Sequence, residues 1–262
     1  MPQAGRTLTK LERRDGVAWI TLDSPGNRNA LSAGLIAELL AHLDAAMADA
    51  EVRCVVLTGN GPAFCAGADL KARGTSIARD GEGGGQSPFV TLLKRLWDAP
   101  KPVIAGVNGH AFGGGIGLAA ACDIAIGAED ARFSFSEVRL GLVPATISVV
   151  VIPKIGVHQA MRLFLTGERF DAARARDHGI LHRVVPAAEL LEALREEVAA
   201  VCLGGPIAIR EAKRLVRSVP RLPMDDAFEL AEAMITRLFD SAEADEGRAA
   251  FAEKRSPGWV AD

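Results

Sequence analysis

Two glycine-rich segments, GNGPAFCAGADL (59–70) and NGHAFGGGIGLAAACD (108–123), do most to limit what this chain can fold into. Each follows a strand-like apolar run and leads into a helix-like one. The first turn of a helix exposes backbone N–H groups with no acceptor inside the helix, and the helix dipole adds positive potential there. Glycine lets a second molecule approach that backbone closely. Two such turns can aim two N–H donors at one oxygen, the arrangement of an oxyanion hole. Spacing excludes other glycine-rich sites. A phosphate-gripping loop needs Lys-Ser or Lys-Thr after its last glycine, and GGGIGL has neither. Gly113, Gly114, Gly115 and Gly117 do not supply the GxGxxG of a dinucleotide fold.

The flanking pattern predicts an α/β core. TLTKLERR and VAWITL, split by Asp15-Gly16, read as a hairpin. Ser32 opens a helix-like stretch to about Ala50, with Leu35, Leu39, Leu43 and Met47 on one face. RCVVLTG (53–59), PVIAGV (102–107) and CDIAIG (122–127) read as strands, alternating with helix-like 88–98 and 115–121. TSIARDGEGGGQS (75–87) has little to bury and is expected to be mobile. From about Gly156 the chain reads as helices, at 157–165, 172–178, 187–203, 206–218, 223–239 and 241–254. The expected division is a core over 1–195 and a helical region over 196–262. The apolar face of the latter, with Phe228, Met234, Ile235, Leu238 and Phe239, either completes the core or meets another subunit.

Thirty Lys and Arg against thirty-three Asp and Glu leave no global field for nucleic acid or an anionic membrane. Cys54, Cys65, Cys122 and Cys202 form no CxxC pair and read as buried free thiols in a reducing compartment. No apolar signal core opens the chain and no run of about 18 apolar residues interrupts it. A soluble cytoplasmic protein is the expectation. The histidines form no HxxxH or HExxH pattern, so no metal is expected; His110 is the one inside a glycine turn.

Glu137, in ARFSFSEVRLGLVP (131–144), stands at the end of a strand-like run among Val138, Leu140, Leu142 and Val143. An apolar setting would raise its pKa toward the range useful for general acid–base work.

Together, PGNRNALS (25–32), FCAGADL (64–70), Asn108 to Asp123, FSEVRLGLVP (135–144) and FAEKRSP (251–257) resemble the enoyl-CoA hydratase/isomerase (crotonase) superfamily over roughly residues 10–255. The resemblance implies a spiral of strand–strand–helix repeats with an all-helical C-terminal trimerisation region, in a homotrimer or a hexamer of two trimers. It implies that the N–H groups of Ala68 and Gly114 hold the thioester oxygen as an enolate forms, and that Glu137 is catalytic. Ala66, Asp69 and Leu70 match positions along the coenzyme A path, and Arg28 and Ala30 fall beside its entrance. Phe251 and Lys254 match positions that reach a neighbouring subunit's coenzyme A. Coenzyme A is part of the substrate, and no separate cofactor is implied.

One departure matters. Hydratases of the common type carry a second Glu where this chain has Gly117. SEVRLGLVPATIS also resembles hydratases of methylglutaconyl-type thioesters, some of which have Gly there. The leading expectation is hydration of a 2-enoyl-CoA. Isomerisation, which needs one carboxylate, and thioester decarboxylation are alternatives on the same scaffold. From other classes come a non-catalytic coenzyme A-thioester binding protein and RNA binding through Arg210, Lys213, Arg214 and Arg217, a stripe that a solvated helix face also explains.

Overall fold

A computed structural model describes residues 7–69 and 86–260. The hairpin forms as β1 (Thr9–Arg14) and β2 (Val17–Leu22), antiparallel with Thr9 opposite Leu22. Asp15 (φ 52°) and Gly16 (φ 70°) both take positive φ, the requirement of the tight turn that an Asp-Gly pair favours. Helix α1 (Ala33–Ala48) starts at Ser32, whose hydroxyl accepts from the Leu35 N–H at 3.2 Å. Such a cap is worth about 1 kcal/mol.

The chain then repeats one unit: a strand for one sheet, a short strand for a second sheet, and a helix. The units are β3 (Cys54–Gly59), β4 (Ala63–Cys65) and α2 (Pro88–Trp97); β5 (Val103–Val107), β6 (His110–Phe112) and α3 (Gly114–Ala121); and β7 (Ile124–Ala128), β8 (Arg132–Ser134) and α4 (Ala145–Thr166). Next come β9 (Arg169–Asp171), α5 (Ala172–Asp177), β10 (Arg183–Val185) and α6 (Leu190–Cys202). The larger sheet runs β1-β2-β3-β5-β7-β10 and the smaller β4-β6-β8-β9. This is the expected spiral.

Burial on both faces explains the unbroken apolar strands. Along β3, Val55 and Leu57 join the main core with α1 and α2, while Cys54 and Val56 face a second cluster with Leu190, Leu194 and Val198 of α6. The cysteines are free, and burial pushes the Cys65 and Cys122 thiols up to about 12, so they pack as inert apolar groups.

The structure departs from the sequence reading in two places. Helix α4 begins at Ala145 rather than 157, and Gly156 (φ 73°, ψ 161°), three residues after Pro153, is a break inside it. The change of character at Gly156 marks that kink. Strands β9 and β10, three residues each, are too short to show a period, yet β10 forms an edge of the larger sheet. Residue 195 falls inside α6, which packs on that sheet. The segment 75–87 lies outside the described residues except for its last two; of these, Ser87 caps α2 by accepting from the Val90 N–H at 3.3 Å.

Helices α7 (Pro206–Ser218), α8 (Met224–Phe239) and α9 (Ala242–Glu253) close the chain. Met234 is buried, whereas Phe228, Ile235 and Phe239 are exposed, so most of the apolar face of α8 remains uncovered within one chain. Lys213 and Arg217 of the basic stripe turn inward, at 2.7 and 2.6 Å from the Asp123 carboxylate. Arg210 and Arg214 pair with Glu211. The stripe is therefore engaged by internal partners.

Candidate active site

Both glycine turns meet at one cleft of about 420 Å³. In the first, β4 ends at Cys65 and the chain passes through Ala66, Gly67 and Ala68. Gly67 has φ +85°, and a Cβ there would stand 2.8 Å from the Phe112 carbonyl oxygen and 3.4 Å from the Gly114 nitrogen. Only glycine allows the two turns to touch in this way. The Gly67 carbonyl accepts from the Leu31 N–H at 2.8 Å. A planar trans peptide sets its N–H opposite its C=O, so the Ala68 N–H points away from Leu31.

In the second turn, Gly113 (φ 47°) precedes α3, and Gly114 is the first helical residue. The N–H of a first helical residue has no acceptor within its helix. No backbone bond engages the N–H of Ala68 or of Gly114 among the described residues. Two adjacent free donors therefore border the cleft, as an oxyanion hole requires.

Glu137 arrives on a 3-10 turn, Ser136–Leu140, directly after β8. Its Oε1 stands 2.7 Å from where a Cβ on Gly113 would project, which puts the carboxylate one residue from the Gly114 N–H. Its Oε2 is buried with no hydrogen-bond partner. Burial pushes the carboxyl above its usual range, a contact with its own backbone opposing in part. Such a shift suits a group that takes and returns a proton.

The other expected residues divide. Ala66 lines the cleft, and its N–H donates to the Arg28 carbonyl at 3.0 Å. Ala30 is buried and is not among the lining residues, and Asp69 accepts from the Asn27 amide at 3.1 Å. Leu70 lies outside the described residues. Phe251 and Lys254 sit at the far end of α9, where Phe251 is 88% exposed, and neither lines the cleft of its own chain.

Sequence reasoning missed Asn29, Phe89 and Ile147. Asn29 is fully buried at φ 54°; its amide donates to the Asn60 and Ala63 carbonyls and its oxygen accepts from the Ser24 N–H, tying the 24–29 turn to β4. An asparagine tolerates positive φ better than most residues, which is the signal that NRNALS carried. Phe89 and Ile147 line the cleft from helices distant in sequence and left no local sign. His110 lies in β6 outside the lining, and no metal-capable cluster of three His, Cys, Asp or Glu occurs among the described residues.

Comparisons with known proteins agree with this geometry. Residues 12–262 match the enoyl-CoA hydratase/isomerase family. An enoyl-CoA hydratase of Mycobacterium tuberculosis is 36% identical over 257 residues, covering 95% of each chain. A carnitinyl-CoA dehydratase of Proteus mirabilis is 36% identical over 255 residues, covering 95% of this chain and 97% of its own. The crystal structure of an enoyl-CoA hydratase from Shewanella pealeana superposes with a TM-score of 0.90 at 34% identity, over 97% of this chain and 96% of that one. With two glycine turns meeting beside one buried carboxylate, and with relatives matched along nearly the whole length, the chain belongs to the enoyl-CoA hydratase/isomerase family of enzymes.

Proposed function

We propose that the enzyme hydrates a 2-enoyl-CoA thioester. The observation that carries this reading is the placement of Glu137 against Gly113, one residue from the free N–H of Gly114. The thioester oxygen accepts from the Ala68 and Gly114 N–H groups. Glu137 takes a proton from water as the water oxygen bonds to the β-carbon, and the electron pair of the double bond moves through the α-carbon onto the thioester oxygen. Glu137 then returns a proton to the α-carbon and the enolate collapses. Donors fixed in place before charge develops need no reorganisation and stabilise the enolate more than the ground state.

Arg28, Ala30, Ala66, Asp69 and Leu70 would border the coenzyme A path. Phe251 and Lys254 would serve a neighbouring subunit, in keeping with the uncovered helices of the C-terminal region and a homotrimeric or hexameric assembly. Isomerisation is the second reading, favoured by Gly117, because moving a proton between two carbons needs one carboxylate. Side-by-side assay of 2-enoyl and 3-enoyl thioesters tests the choice. Hydration of the former at the higher kcat/KM supports the hydratase; conversion of the latter alone supports the isomerase.

A further inference from the structure

Leu31 is fully buried and touches both of the glycine turns that border the cleft. Its backbone engages the first. The Leu31 N–H donates to the Gly67 carbonyl at 2.8 Å, the Ala66 N–H donates to the Arg28 carbonyl at 3.0 Å, and Leu31 pairs with Ala68 in a parallel bridge. Its side chain engages the second. A Cβ on Gly114 would stand 2.6 Å from Leu31 Cδ1, closer than to Phe89 Cζ at 3.3 Å or to the Gly67 Cα at 3.7 Å. One residue therefore orients the peptide that carries the Ala68 N–H and supports the residue that carries the Gly114 N–H.

The Leu31 backbone is itself held on both sides. Upstream, the buried Asn29 side chain donates to the Asn60 and Ala63 carbonyls at 3.0 and 2.8 Å and accepts from the Ser24 N–H at 2.8 Å. Downstream, Ser32 caps α1, its hydroxyl accepting from the Leu35 N–H and its carbonyl from the Ile36 N–H at 3.0 Å. With the backbone fixed, the length of the Leu31 side chain decides how closely the start of α3 approaches the first turn. Interiors are packed so densely that a lost methyl group leaves a void or draws its neighbours inward.

We propose that Leu31 is a positioning residue of the oxyanion hole. Its backbone N–H sets the direction of the Ala68 donor, and its δ-carbon sets the distance from that donor to the Gly114 N–H. The proposal rests on the reading of these two N–H groups as the donors to the thioester oxygen. A displacement of about 1 Å is enough to cost about 100-fold in rate. The length of one hydrocarbon side chain, remote from the reacting carbons, thereby governs turnover.

Butyryl-CoA, isotope-labelled at the thioester carbonyl carbon, tests this by infrared difference spectroscopy. It has no double bond to hydrate, and its carbonyl stretch falls in frequency as hydrogen bonds to the oxygen strengthen. Bound to wild type, the stretch should lie below its value in water. Leu31→Ala keeps the backbone N–H and removes the δ-carbon. It should lose most of that downshift and about tenfold or more in kcat toward a 2-enoyl-CoA, with KM within a few-fold of wild type. Leu31→Met, which keeps a heavy atom at the δ position, should retain both. Should the alanine variant fail to fold, Leu31→Val removes the δ-carbon with a smaller void, and the same loss is expected. A full downshift in the alanine or valine variant, whatever its Tm, makes Leu31 a core residue alone and overturns the proposal. So does a loss in Leu31→Met equal to that in Leu31→Ala. No downshift in wild type would overturn the donor assignment and the proposal with it, whereas a normal downshift without hydration of any 2-enoyl thioester would overturn the hydratase reading alone.

Discussion

The Glu137 carboxylate occupies the space that a side chain on residue 113 would need, its Oε1 2.7 Å from the position of a Cβ on Gly113. The glycine therefore allows the carboxylate to approach the start of α3, and the pair joins two turns that are 24 residues apart in sequence.

Gly113→Ala should accordingly act on catalysis more than on folding. The atom met by the new methyl group is the end of a flexible side chain, which can swing away. The backbone, at φ 47° and ψ −112°, lies outside the left-handed helical region and adds a stability cost of about 1–3 kcal/mol. We expect kcat to fall by about 100-fold, the contribution of a positioned acid–base group, with a Tm loss of a few degrees. Steady-state kinetics beside calorimetry checks this. A protein that unfolds without first losing turnover would place Gly113 in folding instead.

The oxyanion donors can be tested at Gly114. Proline is tolerated at the first helical position, so Gly114→Pro removes the N–H while α3 can still start there. Its ring meets Leu31 Cδ1, as would the methyl group of Gly114→Ala, whose Cβ stands 2.6 Å from that atom. Alanine keeps the N–H and so controls for crowding. Loss of one such donor costs about 3 kcal/mol of transition-state stabilisation. The proline variant should therefore fall well below the alanine variant in kcat/KM, and equal losses would assign the effect to packing.

The pH dependence follows from the direction in which burial shifts Glu137. In the proposed mechanism Glu137 acts in its ionised form, so kcat/KM should fall as pH drops through a pKa above the usual carboxylate range. With one carboxylate on the described lining, one acidic limb is expected rather than two. Stability carries the opposite sign. A folded-state pKa above the unfolded value means that the native state holds its proton more tightly, so the group costs stability above the folded pKa and nothing below the unfolded one. Glu137→Gln should raise Tm near neutral pH, and the gain should fade as pH falls through the carboxylate range. A gain that grows on acidification would contradict the burial account.

Much of this was legible in the sequence because the informative residues are local. Asp15-Gly16 fixed a turn by backbone preference, Ser32 capped a helix three residues before its partner, and the two glycine runs marked both donors. Glu137 could be singled out because its apolar neighbours adjoin it in sequence. What stayed hidden depends on contacts across the chain. Ile147 reads as one more apolar residue until α4 lays it against Gly117, thirty residues away in sequence. At 117 the sequence shows only that a second Glu is missing, whereas the fold shows that hydrocarbon fills the space beside it. Strands β9 and β10 form through pairing with β8 and β7, which no three-residue window can reveal.

The most direct test of Glu137 as the acid–base group is single-turnover hydration of a short 2-enoyl-CoA by Glu137→Gln under saturating enzyme. The amide keeps the shape and cannot take the proton from water. The rate should drop by about 100-fold or more while affinity for the thioester stays within a few-fold of wild type. A Gln variant that hydrates its substrate at close to the wild-type rate would contradict the account.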